Sequence, residues 1–219
     1  MKDLGSDLKL KDQLDGTQLL SMFSKATEFL ERHIDAINSL NVYPVPDGDT
    51  GTNMFLTLNG MLKYVETKES KLAGEMAGMM AEGALMNARG NSGVILSQFL
   101  NGFAIGLKGK SYFGSIEIVD CFKNAKINSY KAVGQPVEGT LLTVISTAYE
   151  TAKVSQEPSK PLLELLDDVC SASRRSVEST TELLPVLSEA GVVDAGGLGF
   201  YLILEGLASY IREEDVNTK

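Results

Sequence analysis

Tryptophan is absent from this chain, histidine occurs once, cysteine twice, and only six prolines punctuate 219 residues. Each scarcity excludes something. With two isolated cysteines and one histidine there is no CxxC or His/Cys cluster, so no structural zinc site is expected. Cys121 and Cys170 both fall in apolar helical stretches and read as buried small hydrophobes. Basic residues are also in deficit: 20 Lys and Arg stand against 29 Asp and Glu, a net charge of −9. That balance argues against a nucleic-acid partner, which needs a basic face. It leaves room for a nucleotide, because magnesium can bridge carboxylates to phosphates. Long apolar runs are missing as well. The most apolar stretch, Val94 to Leu107, is broken by Ser97, Gln98 and Asn101, so no membrane insertion is expected. No signal-peptide core follows Met1-Lys2-Asp3-Leu4-Gly5, which makes the cytosol the expected compartment.

What is present is helical periodicity. Hydrophobic residues make up 43% of the chain and charged residues 22%, enough to bury one proper core in a single domain over 1–219. Apolar positions recur every three or four residues and hardly ever alternate by twos. Leu20, Phe23, Phe29, Leu30, Ile34 and Ile37 form one stripe, with Asp15 or Thr17 as the cap of the first helix. Further helices are expected over 52–66, 69–88, 92–107, 115–133, 139–154, 160–183 and 195–212, which makes eight. Gly109, Gly114, Gly134, Pro136, Pro158 and Pro161 mark breaks between them. The expected fold is all-α, an eight-helix antiparallel barrel or bundle. Four short glycine-bearing loops, Asp47–Asn53, Arg89–Gly93, Glu138–Thr140 and Asp194–Gly197, precede alternate helices. In an up-and-down arrangement those four helix N-termini share one rim, each offering unpaired N–H groups to an anion such as phosphate.

The densest chemistry lies in NVYPVPDGDTGTNM, residues 41–54. Pro44 and Pro46 are expected to hold the segment extended, so that Asp47 and Asp49, two apart, face the same way. Two hard carboxylates suit magnesium, whose other ligands are usually water and phosphate. Gly51 would permit the turn into the next helix. Turn chemistry alone accounts for an isolated DGD; the flanking prolines and the three other glycine loops favour the metal. A calcium EF-hand fails on spacing, because Thr52 and Leu58 stand where glycine and glutamate are required. Gly109-Lys110-Ser111 imitates a P-loop, yet Ala104 occupies the first glycine position. In ARGNSG, residues 88–93, Gly90 and Gly93 would let backbone amides approach an anion, Ser92 would cap a helix, and Asn91 can donate. An ordinary helix–helix turn reads equally well there, and Arg89 can pair with a phosphate or with a surface carboxylate. His33, beside Arg32, reads as solvated; Met76, Met79 and Met80 read as core filler, and Glu213-Glu214-Asp215 as a solvated tail.

Together and in this order, LNVYPVPDGDTGTNM, ARGNSGVILSQ, PVEGTLLTV and GVVDAGG resemble the N-terminal domain of bacterial fatty acid kinase A. That domain is itself similar to the DhaL subunit of dihydroxyacetone kinases. The resemblance covers about Gly16 to Ser209 and implies an eight-helix barrel that binds ATP at one rim through magnesium. By resemblance, Asp47 and Asp49 hold the metal and carry the chemistry, and Asn41 stands nearest to a third metal-binding position. Thr50 and Asn53 then start the nucleotide-contacting helix. Asn91, Ser92 and Gly93 form the phosphate loop, Gly139 and Thr140 lie near the nucleotide, and Asp194, Ala195 and Gly196 belong to the loop that closes over it. Asn87 departs from relatives with glycine there.

The implied cofactors are Mg2+ and ATP/ADP. The implied reaction is phosphorylation of a fatty acid carboxylate carried by a separate DegV-type protein, with a homodimer compatible. A DhaL-type subunit of a dihydroxyacetone kinase and a non-catalytic nucleotide-binding adaptor are the rival readings. The DhaL branch reads DGDHG where this chain has DGDTG at 47–51. The resembled kinase continues beyond this domain, so an excised domain and a stand-alone version are both open.

Overall fold

The computed structural model describes residues 13–157 and 160–217, the side chains of 214–217 excepted. The Met1–Gly5 segment, Pro158 and the Glu214 and Asp215 side chains therefore lie outside the described residues. Ten helices are present among them: α1 (Gly16–Glu31), α2 (Ile34–Ser39), α3 (Thr50–Val65), α4 (Ala73–Met86), α5 (Gly90–Gly106), α6 (Ser115–Lys131), α7 (Leu141–Ser155), α8 (Leu162–Leu183), α9 (Pro185–Ala190) and α10 (Ala195–Asn217). The all-α class stands, and the count of eight is corrected to ten. No helix among the described residues is long and apolar enough to cross a membrane.

The two additional helices have local causes. Asp15 starts α1 by accepting the N–H groups of Thr17 and Gln18, and the Gln18 side chain bonds back to the Asp15 N–H. The expected first helix then splits at His33, which leaves helical geometry at φ −117 and ψ 8. His33 Nδ1 lies 2.7 Å from the Phe29 carbonyl, so it donates there, and the ring is half-buried rather than solvated. At the other end α9 begins on Pro185, where a missing N–H costs nothing, and stops at Gly191 in the left-handed region at φ 66.

Successive long helices pack against each other from α3 to α8, while α10 lies against α8, α7 and α1, and α1 returns to α3 and α4. This closes the ring. Leu14 and Phe113 exchange two backbone hydrogen bonds of 2.8 and 2.9 Å, which ties the chain ahead of α1 to the α5–α6 connection. Inside, Phe23, Phe99, Phe103, Phe122 and Phe200 stack edge-on or tilted, with Phe99 and Phe200 centroids 4.9 Å apart. Met76 and Met80 are buried and Met79 half-buried against this core. Cys121 and Cys170 are buried free thiols, and burial pushes Cys121 well above its ordinary range, so neither is poised to react.

Close backbone approach sets the α5–α6 seam. A Cβ on Gly102 would lie 2.4 Å from Ala125 Cα, and one on Gly106 would lie 2.6 Å from Cys121 Cα. Helix propensity favours alanine over glycine by about 1 kcal/mol, whereas forcing packed helices apart costs about 1–3 kcal/mol. Gly102→Ala should therefore lower stability, because the steric cost wins. Gly78→Ala in α4, where nothing lies within 4 Å of the added carbon, should raise it by about 1 kcal/mol. Urea denaturation of the pair checks this; the same sign at both positions contradicts the seam.

Candidate functional site

The N-terminal ends of α3, α5, α7 and α10 meet around one cavity of about 540 Å³. Of the residues singled out in the sequence, Asn41, Asp47, Asp49, Thr50, Asn53, Asn91, Ser92, Thr140, Asp194 and Gly196 line it. Gly93, Gly139 and Ala195 do not. Three aspartates line the cavity, and no lysine, arginine or histidine among the described residues lines it.

The four helix starts are not equivalent. At α3, Asn41 Oδ1 accepts from the N–H groups of Asp49 and Thr50, both at 3.2 Å, and from Thr50 Oγ1 at 2.8 Å. Asn38 Oδ1 accepts from the N–H groups of Gly51 and Thr52, and its Nδ2 donates to Thr52 Oγ1. All four leading N–H groups are therefore occupied. The carbonyl oxygen of Asn41, expected at a metal-binding position, thus already has three donors.

Asp47 is exposed and Asp49 half-buried, and neither carboxylate has a protein partner among the described residues. The chain between them is not extended as expected. Gly48 sits in the left-handed region at φ 66 and Asp49 at φ −120, ψ 1, so a turn, not an extended run, brings both aspartates to the cavity. Gly51 lies inside α3, and its role is contact: a Cβ there would stand 2.8 Å from the Ile34 carbonyl oxygen.

At α5 the cap position falls on Arg89, which provides no side-chain bond, and Ser92 is the third residue of the helix, so its expected capping role is corrected. Ser92 Oγ donates instead to the Thr50 carbonyl at 3.5 Å. Gly93 N–H returns to the Arg89 carbonyl, while Gly90, Asn91 and Ser92 keep N–H groups with no partner among the described residues. Gly93 itself serves packing, since a Cβ would meet Thr57 Oγ1 at 2.4 Å. Gly90 adopts φ 57, with Asn53 Nδ2 2.3 Å from where its Cβ would be.

At α7, Thr140 Oγ1 accepts from Leu142 N–H and donates to the Val137 carbonyl at 2.7 Å. Gly139 holds φ 82, and its N–H donates to Thr143 Oγ1. Asp194 joins α7 to α10. It is 5% exposed, its Oδ2 accepts from Gly197 N–H at 2.7 Å, and its carboxylate also takes the Leu141 N–H.

Sequence reasoning missed the apolar wall. Tyr43, Val45, Val94, Ile95, Val133 and Leu142 line the cavity, together with Gly134 and Gln135 of a turn read only as a helix stop. Asn38 was missed too, although its three-residue spacing from Asn41 was a usable signal.

A match to the DAK2 domain spans residues 44–209. The chain belongs to the DAK2 domain family. It is 40% identical over 207 residues to uncharacterized proteins of Staphylococcus saprophyticus and Staphylococcus aureus, matching 94% of this chain and 38% of each relative. This DAK2 domain thus spans well under half of their length. Among solved structures it resembles the dihydroxyacetone kinase of C. freundii in complex with AMP-PNP and Mg2+, with TM-score 0.63, 16% identity, 87% of this chain and 33% of that one. The native form of that enzyme gives TM-score 0.61 at 17% identity, with 87% and 34% covered. At such identities the likeness is one of fold.

Burial raises the Asp194 carboxyl to about 6, against the opposing pull of the Gly197 and Leu141 N–H groups. Because the folded value exceeds the unfolded one, this group favours the folded DAK2 domain below pH 4 and loses that contribution as pH rises through about 6. Two pKa units correspond to roughly 3 kcal/mol. The stability of wild type relative to Asp194→Asn should thus fall by about that much between pH 4 and pH 7. Urea titrations at both pH values check it; a difference independent of pH contradicts the buried-acid assignment.

Proposed function

We propose that this DAK2 domain binds Mg·ATP in the rim cavity and acts as the nucleotide-binding part of a kinase. One observation carries the reading: among the described residues, three aspartates and three unpartnered amides share a cavity that no cationic side chain lines. Nucleotide phosphates would meet only like charge there unless a divalent cation came between. Asp47 and Asp49 fit that cation as free hard-oxygen donors, with no third acid close enough to complete a protein-only site among the described residues. The bound ion would offset phosphate charge and orient the phosphates.

The chain's own residues do the rest. Gly90, Asn91 and Ser92 point a helix N-terminus at the phosphates, where preformed amides stabilise charge without reorganisation. The apolar wall of Val45, Val94, Ile95 and Leu142 suits the nucleoside. Asp194, bonded to two amides and buried, orders the α7 and α10 ends instead of serving as a base.

For the acceptor we favour a fatty acid carboxylate presented by a DegV-type protein in the cytosol. A sugar hydroxyl needs a base to take its proton, whereas a carboxylate is already ionised. The cavity offers no imidazole, and Thr50, whose hydroxyl is bonded to Asn41, stands where the DhaL branch carries histidine. The fold likeness to dihydroxyacetone kinase favours a second reading, a DhaL-type subunit serving dihydroxyacetone.

Calorimetric titration with ATP should show at least tenfold weaker binding in excess chelator than in magnesium. Equal affinity in both contradicts the cation bridge. ADP release should then occur with a fatty-acid-loaded DegV-type protein and not with dihydroxyacetone on a DhaK-type subunit; turnover with dihydroxyacetone alone selects the second reading.

A further inference from the structure

We infer that Asn41 is a positioning residue for the aspartate loop: its carboxamide ties both ends of residues 43–50 together and so fixes where Asp47 and Asp49 stand. This deepens the Mg·ATP reading and rests on it.

Asn41 is 6% exposed, and both ends of its amide are used. Its oxygen takes the N–H groups of Asp49 and Thr50 and the Thr50 hydroxyl. Its Nδ2 donates to the Val45 carbonyl at 3.0 Å and to the Tyr43 carbonyl at 3.5 Å. The amide cannot be turned round: two backbone N–H groups demand the oxygen on one side, and two carbonyls demand the nitrogen on the other. One side chain thus grips the loop on both sides of the Asp47–Asp49 turn. Neither aspartate side chain has a partner among the described residues, so the backbone that Asn41 holds is what sets their position. Asn38 completes the fixture by holding Gly51 and Thr52, which anchors the far end of the loop to α2.

A carboxylate at this position separates positioning from ligation by sign. Were residue 41 a metal ligand, Asn41→Asp would add a charged hard oxygen and tighten magnesium binding. As a tie, the substitution keeps the acceptor side and loses the donor side. It places a carboxylate oxygen against the Tyr43 and Val45 carbonyls, opens the loop and weakens binding.

The experiment is a magnesium titration of ATP binding by wild type, Asn41→Asp and Asn41→Ala, alongside amide hydrogen exchange of the metal-free proteins. Both variants should need at least tenfold more magnesium for half-saturation. The remote Gly102→Ala variant, destabilised at the α5–α6 seam, should stay within twofold of wild type. In Asn41→Ala the Asp49 and Thr50 amides should exchange at least tenfold faster with no metal present. An unchanged or lower magnesium requirement in Asn41→Asp overturns the proposal, as does unchanged exchange in Asn41→Ala. If wild type shows no magnesium-dependent ATP binding, the Mg·ATP reading fails by itself, and the exchange rates still decide whether Asn41 ties the loop.

Discussion

A helix leaves its first N–H groups unpaired, and four helices of this barrel begin around the same cavity. Leaving such donors buried and unsatisfied costs on the order of 1–3 kcal/mol each. The rim is therefore organised by which helix start receives a side-chain acceptor and which does not. Asn38 and Asn41 cover α3, Thr140 and Asp194 cover α7, and Asp194 reaches the third residue of α10. At α5 Thr57 Oγ1 takes the Arg89 N–H, and no side chain caps the amides of Gly90, Asn91 and Ser92 among the described residues. The directional electrostatics of the cavity follow from that asymmetry.

The acidic character of the cavity then gains a meaning that net charge alone did not give it. Asp194 neutralises helix ends and is itself only partly ionised near pH 6. Asp47 and Asp49 neutralise nothing in the protein, so their charge is available to a ligand. Acid on one side and bare amides on the other suit a polyanion that arrives with its own cation. In this account the ring closure of α10 on α1 holds those two sides at fixed separation.

Much of this was legible in the sequence. The period of the apolar residues marked the long helices, and the four glycine-bearing loops lie on one rim because consecutive long helices alternate in direction. What the sequence hid were interactions between segments. The split at His33 carries no glycine or proline; it is made by a side chain bonding the carbonyl four residues back. Pro44 and Pro46 suggested an extended run through Asp49, yet Gly48 turns left-handed within an α3 start held by Asn38 and Asn41. Gly93 looked like room for a ligand and is room for Thr57, a contact across two helices that spacing cannot reveal. The cap expected at Ser92 falls on Arg89, which makes no side-chain bond, and the capping chemistry at α3 comes from asparagines up to fourteen residues upstream.

The central claim is that α5, and not α3, presents free amides to the phosphates. Backbone amide shifts of the nitrogen-15-labelled protein, followed while Mg2+ and a non-hydrolysable ATP analogue are added, test it most directly. The account predicts the largest amide-proton changes at Gly90, Asn91 and Ser92, with Gly51 and Thr52 nearly unmoved because Asn38 already holds them. Large changes at Gly51 and Thr52, with Gly90 to Ser92 silent at saturation, would contradict it.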